Sequence, residues 1–195
     1  MGEMPKPGKK EKIADFSIVY KDVFSWEWLY KTVHTWLNDE GWQAPEGGDK
    51  WKEKNFIQRN LPFGKEIWIW WRLQKKRGKY IMTYLDVEYH VLGMNDTEIL
   101  HEGKKIKVQK GEVEVFIKAY IQRDPKGEIS TLPWMRSKMV KNWFEKRWYK
   151  AEYDQELAKL YNDAYRLQHA IKQYFDIKGW IGEYAGKPFI PKKGF

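Results

Sequence analysis

The sequence predicts an α+β fold, in which an antiparallel β-meander of five or six strands packs against an N-terminal helix and a long C-terminal helix. Three observations carry that expectation. Between Glu66 and Arg123, apolar residues recur at every second position over long stretches separated by turn residues, the period of a pleated strand. Upstream, the stretch from Trp26 to Glu40 carries its apolar residues at helical spacing. Downstream, Leu157, Leu160, Ala164, Leu167, Ile171 and Tyr174 alternate three and four apart, a heptad seam long enough to lie across a sheet.

Taken in order, residues 1–12 hold Pro5, Pro7, Gly2 and Gly8 among the charged Lys6, Lys9, Lys10, Glu11 and Lys12. With almost nothing to bury, they are expected to form a mobile basic tail. From Ile13 to Tyr20 the chain alternates loosely, with Phe16, Ile18 and Tyr20 on one side, as an edge strand does. Asp22 and Ser25 offer caps for the first helix, and Phe24 can staple onto Leu29. The stripe of that helix is Leu29, Val33, Trp36 and Leu37, and Gly41 supplies its stop. Pro45, Gly47 and Gly48 mark a loop, after which Phe56 and Ile57 open a short strand interrupted by Pro62 and Gly64.

In the meander, the first strand turns Ile67, Ile69, Trp71 and Leu73 to one face and Trp68, Trp70 and Arg72 to the other. Its successor, Tyr80 to Leu92, sets Ile81, Leu85, Val87, Tyr89 and Val91 against Tyr84, Asp86, Glu88 and His90. Glu112 to Arg123 repeats the division, with Val113, Val115, Ile117, Ala119 and Ile121 against Glu114, Phe116, Lys118, Tyr120 and Gln122. Turns are expected at Lys75 to Lys79, Gly93 to Asp96, Glu102-Gly103 and Lys110-Gly111. Beyond Asp124 to Gly127, Ser130 or Thr131 with Pro133 opens a basic, aromatic helix from Trp134 to Lys150. Whether it continues into the heptad seam or bends near Lys150 stays open. Residues 179–195 read as an irregular tail, so that residues 13–178 form a single domain.

Composition bounds the function. The chain's 195 residues fit one core, and twelve Trp, twelve Tyr and nine Phe fill it with large rings. Lys and Arg outnumber Asp and Glu by 36 to 27, a net charge of +9, which favours an anionic partner such as nucleic acid or a lipid surface. With no cysteine, disulfides and thiolate chemistry are excluded, and a reducing cytoplasm is the expected location. The apolar run from Ile67 to Trp71 is far short of the ~20 residues of a spanning helix. High Lys and Glu without Cys is also the bias of heat-adapted proteins.

No phosphate-binding glycine loop, helical His pair or nucleophile turn is present, so no catalytic, cofactor-binding or metal residue is assigned. Three constellations remain. Asp86, Glu88 and His90, with Glu114 across from them, share a strand face and have the donor types to hold a divalent metal or share a proton. Such residues are more often the solvated side of a sheet. Trp68, Trp70, Phe116 and Tyr120 beside Arg72 and Lys118 offer stacking platforms next to phosphate-seeking charges, unless a helix covers that face and makes it a second core or a pocket wall. Finally, Arg136, Lys138, Lys141, Lys146, Arg147 and Lys150 face a single acid, Glu145, and suit a nucleic-acid backbone or an anionic membrane. On one continuous helix these charges make a broad cationic side and not a narrow stripe.

The order of edge strand, helix, meander and long C-terminal helix resembles the helix-grip architecture of the START and polyketide-cyclase-like ligand carriers. The stretches Glu66-Ile67-Trp68-Ile69-Trp70-Trp71-Arg72-Leu73-Gln74 and Leu160-Tyr161-Asn162-Asp163-Ala164-Tyr165-Arg166-Leu167 are similar to hypothetical proteins of archaeal genomes, over a span from Val23 to Phe175. That resemblance implies no site residues. The expected function is non-enzymatic binding of RNA or another polyanion. The alternatives are a helix-grip carrier of an apolar small molecule or lipid, peripheral association with an anionic membrane, and an enzyme built on Asp86, Glu88 and His90.

Overall fold

A computed structural model describes residues 8–45, 52–78, 80–101, 104–127, 131–143, 147 and 149–176, with the backbone alone at 101, 104, 135, 136, 138, 141 and 142. The expected C-terminal tail, 179–195, lies outside the described residues. The fold is α+β. Strands β1 (Lys10–Phe24), β2 (Glu53–Leu61), β3 (Gly64–Arg77), β4 (Ile81–His101) and β5 (Lys104–Arg123) form one antiparallel sheet in the order β1-β5-β4-β3-β2. Helix α1 (Trp26–Asp39) joins β1 to β2. After β5 come a 3-10 turn (Pro133–Arg136), the short helix α2 (Lys138–Trp143) and the long helix α3 (Lys150–Asp176).

Alternation assigns the faces of the sheet correctly. Ile69, Trp71, Leu73, Leu85, Val87, Tyr89, Val91, Val113, Val115, Ile117, Ala119 and Ile121 are each at most 1% exposed. Against them α1 packs Leu29, Val33, Trp36 and Leu37, and α3 packs Leu160, Ala164, Leu167, Ile171 and Phe175. Each aliphatic or aromatic side chain so buried contributes about 1.5–3 kcal/mol relative to exposure. Polar ties fix the helices in place. Arg77 donates to Asp163 at 2.5 Å, Arg166 to Glu40 at 2.6 Å, and the Tyr174 hydroxyl to the Ser25 carbonyl at 2.7 Å.

Several boundaries differ from expectation, for physical reasons. Gly93 to Asp96 is not a turn, and Lys110-Gly111 lies inside β5. Strands β4 and β5 pair continuously from Ile81 with Arg123 to His101 with Lys104, interrupted by a bulge between Leu92 and Asn95. The glycines serve close approach instead of reversal. A Cβ on Gly64 (φ 136°) would stand 2.6 Å from the Gly93 carbonyl carbon, and one on Gly111 would stand 3.0 Å from the Met94 Cα. β1 begins at Lys10 instead of Ile13, so the end of the expected tail belongs to the sheet. There Lys10, Glu11 and Lys12 pair with Gln122, Ile121 and Tyr120, and the Tyr153 hydroxyl donates to Glu11 at 2.5 Å. An edge strand is held by backbone partners, which a composition argument does not see. β2, expected to be short, runs nine residues along the other edge.

The helix termini also depart from the local reading. Ser25 occupies the N-cap of α1 without a side-chain bond, and the Trp26 amide donates instead to Gln109 Oε1 of β5 at 3.0 Å. At the other end Gly41 takes φ 74°, and its amide and that of Trp42 close on the Asn38 and Leu37 carbonyls at 2.9 Å. The basic helix expected from Trp134 to Lys150 is not one helix. It opens as a 3-10 turn with Pro133 in its first turn, breaks at the extended Ser137 and resumes as the six residues of α2, beyond which residues 144–146 and 148 lie outside the described residues. Leu132 occupies the N-cap, while the Thr131 hydroxyl turns back to the Gly127 carbonyl.

Candidate functional site

The second face of the sheet gathers the sequence-predicted aromatic and charged residues. Register sets them in rows across the strands: Asp15, Lys118, Asp86 and Arg72, then Ser17, Phe116, Glu88, Trp70 and Asn55, then Val19, Glu114, His90, Trp68 and Ile57. Phe116, Glu88, Trp70, Lys118, Asp86, Arg72, His90, Trp68 and Tyr120 are all half-buried. The alternative in which a helix covers this face is corrected for α1 and α3, which both lie on the opposite one. Trp26 and Tyr30 of α1 meet Tyr89 and Trp71, and Tyr161, Tyr165 and Phe175 of α3 meet Phe16 and Tyr20.

Among the described residues, the rings and charges of this face pair with one another. The Trp68 and Trp70 rings lie nearly parallel with centroids 5.8 Å apart, and His90 stacks on Trp68 at 3.7 Å. Glu66 Oε1 accepts from Trp68 Nε1 at 3.0 Å and stands 3.3 Å from His90 Nε2. The Trp68 hydrogen bond, with His90 and Arg59 adding to it, holds the Glu66 carboxyl below its usual range. One face of Trp68 is thus already occupied.

Its charges are matched in the same way. Glu88 accepts from Arg72 at 2.5 Å and from Lys118 at 3.0 Å, and Arg72 Nε stands 3.6 Å from Asp86. Burial pushes Glu88 up, but the hydrogen bonds of Lys118 and Arg72 together outweigh it and leave the carboxyl low. For Asp86 burial wins over the more distant Arg72, and its carboxyl is raised. Asp86 and Glu88 therefore serve Arg72 and Lys118 while His90 serves Trp68 and Glu66, so the three do not converge on one point. Among the described residues no group of three or more His, Asp or Glu is placed to hold a metal ion.

Sequence reasoning missed Glu66, which is two residues from Trp68 on the same strand face and was open to the alternation argument. It also missed Lys10, whose ammonium sits 3.6 Å from the centroid of the Tyr84 ring, because the composition of residues 1–12 reads as a tail. Of the basic residues, Arg136 lies in the 3-10 turn, Lys138 and Lys141 in α2, Arg147 is exposed, and half-buried Lys150 opens α3. Lys146 is outside the described residues. Residues 144–146 and 148, which would join Lys138 and Lys141 to Lys150, lie outside the described residues. In the same segment Leu132, Trp134, Met139, Val140 and Trp143 are exposed.

No described helix is long and apolar enough to cross a membrane. No protein-family model, curated protein or solved structure matches the chain.

Proposed function

We propose that the protein is a non-enzymatic, cytoplasmic binding protein for RNA or another polyanion, acting through the segment from Lys126 to Lys150. The observation that carries this reading is the segregation of charge. Seven Lys or Arg stand in that segment against Glu128 and Glu145 alone, whereas Arg72 and Lys118 of the second sheet face are engaged by Glu88. Exposed Trp134 and Trp143 add ring surface on which unpaired bases stack. Fluorescence anisotropy with a labelled single-stranded RNA, in parallel with sedimentation of anionic vesicles, tests the reading. Binding through phosphates weakens on the order of a hundredfold or more between roughly 50 and 200 mM salt if about six contacts form. Equal RNA affinity at both salt concentrations, or vesicle binding without RNA binding, refutes it.

A further inference from the structure

Among the described residues, no strand pairs with the outer side of β1 or of β2. β1 is the longer of the two edges, at 15 residues. Hydrogen bonds at the end of β5 fix which of its backbone groups are free. The Gly8 amide donates to the Arg123 carbonyl at 2.8 Å, and the Asp124 amide donates to the Tyr80 carbonyl, beside β4, at 2.7 Å. Arg123 and every second residue before it therefore turn towards β1, so Phe16, Ile18 and Tyr20 bond to Ile117, Val115 and Val113. The N–H and C=O groups of Asp15, Ser17, Val19 and Lys21 point the other way, out of the sheet, and all four residues are exposed.

Edge strands usually carry proline or closely placed charges that keep a further strand from adding to them. Between Ala14 and Tyr20, β1 has no proline and Asp15 as its single charge, while Phe16, Ile18 and Val19 are apolar. The strand is also complementary to itself. Paired antiparallel with a second copy about Ile18, it sets Asp15 opposite Lys21 of the other copy at both ends of the contact, Phe16 opposite Tyr20, and Ser17 opposite Val19. Shifting the centre by one residue loses the charge match, because Asp15 then meets Val19 or Val23. The present partners, Lys12 at 2.8 Å from Asp15 and Glu112 at 3.0 Å from Lys21, form exposed pairs that exchange at little cost. β2 has no such pattern, since it exposes Lys54 and Arg59 while its one acid, Glu53, accepts from Tyr30.

We propose that two copies of the chain join through β1, antiparallel and centred on Ile18, so that their sheets run together across a two-fold axis. An axis normal to the sheet keeps the helices of both copies on one side. On that side Phe16 carries Tyr161 and Tyr165 of α3, each with its ring centroid 6.0 Å away, and the two tyrosines stack on each other at 6.3 Å. Both are exposed although they sit at the margin of the core. Opposite Phe16 the second copy brings Tyr20, against which Phe175 of its own α3 stacks at 4.2 Å. The tyrosines of one copy therefore face the C-terminal half of α3 in the other and are covered by it. Main-chain pairing along Asp15 to Lys21 supplies the affinity, and the two Asp15–Lys21 contacts select the register.

Sedimentation velocity of the full chain at concentrations up to on the order of 100 µM tests the proposal, and a dimer is expected. Val19→Pro removes an outward N–H without touching the ladder to β5, and should weaken the dimer by about tenfold or more while the melting transition is retained. Asp15→Lys and Lys21→Asp each set like charges opposite one another at both ends of the contact, and each should weaken self-association by about tenfold. Mixed in equal amounts, the two variants restore opposite charges at both ends and should associate as tightly as the unaltered chain. If Val19→Pro does not fold, the mixing experiment decides alone, because a defect within one chain is not repaired by adding another. A monomer at every concentration overturns the proposal. A dimer that keeps its affinity in Val19→Pro and in both charge reversals places the contact on another surface and overturns it too. So does a mixture that associates no better than either variant by itself.

Discussion

Glu88 and Asp86 stand two residues apart on one strand face, yet their surroundings give their charges opposite thermodynamic signs. The Glu88 carboxyl is held below its ordinary value of 4.5, so its ionised form stabilises the fold at neutral pH, and this contribution is lost as pH falls from about that value through the folded one. The Asp86 carboxyl is raised above its ordinary value of 3.8 by burial, so its ionisation costs stability at neutral pH and acid relieves the cost. Glu88→Gln should therefore destabilise by about 1–2 kcal/mol at pH 7 and flatten the loss of stability below pH 4.5, because the countercharge of Arg72 and Lys118 is removed and only one acceptor oxygen is left for the two. Asp86→Asn should be neutral or slightly stabilising, and urea melts across pH read both. Alternation placed these residues on one face, but which partner each takes depends on cross-strand register, and no single strand's sequence contains that. What alternation does fix is burial. Val87→Asp or Val115→Asp should cost more than about 4 kcal/mol, since each buries an unpaired charge at a site with no exposure, while half-buried Glu114→Gln should stay within about 0.5 kcal/mol. Equal shifts in melting temperature at all three would contradict the faces.

At the scale of elements, the departures from local rules are the informative sites. Ser25 has the residue type of an N-cap and does not act as one, while Gln109, from a strand 83 residues further along the chain, accepts from the first helical amide. Gln109→Ala should consequently cost about 1 kcal/mol, the usual worth of a cap, and Ser25→Ala close to nothing. A reversed order in chemical melts would return the cap to Ser25. Glycine shows the same limit of local reading. Gly64, Gly93 and Gly111 were legible as chain punctuation, but turn and close approach share one signature in a single strand, and only the neighbouring backbones distinguish them. Gly64→Ala forces a Cβ against Gly93 backbone and should destabilise by several kcal/mol, beyond the ~1 kcal/mol of a left-handed residue alone. Gly127, at φ 70° with open space around it, should show only that smaller cost when changed to Ala. Likewise, the composition of Trp134 to Lys150 read as one helix because Lys, Arg, Met and Trp all tolerate helix, and a lone Ser137 does not announce the extended residue that parts the 3-10 turn from α2.

For the whole molecule, layering decides which surfaces are left to function. Both sheet faces carry Trp, and the sequence left open whether a helix covers the second face as well. The answer lies in matching apolar stripes, since α1 and α3 find uninterrupted aliphatic rows only on the face of Val87, Val115 and Ile117. The opposite face keeps its cations locked in pairs, which separates two sources of positive charge that composition merges. Arg72 and Lys118 spend their charge on Glu88, whereas Arg147 is exposed in a segment with few acids, beside Lys150 at the start of α3. If the segment contacts a polyanion, Arg147→Glu with Lys150→Glu should reduce the slope of log affinity against log salt by about 2 for RNA, with the melting temperature little changed. Lys118→Gln should do the reverse, lowering stability by about 1 kcal/mol through Glu88 while leaving the slope unaltered. Anisotropy titrations over a salt series, with thermal melts of the same preparations, measure both quantities. A slope that responds to Lys118→Gln and not to the double reversal would move the contact to the sheet face, where binding would first have to break the ion pairs that now compensate it.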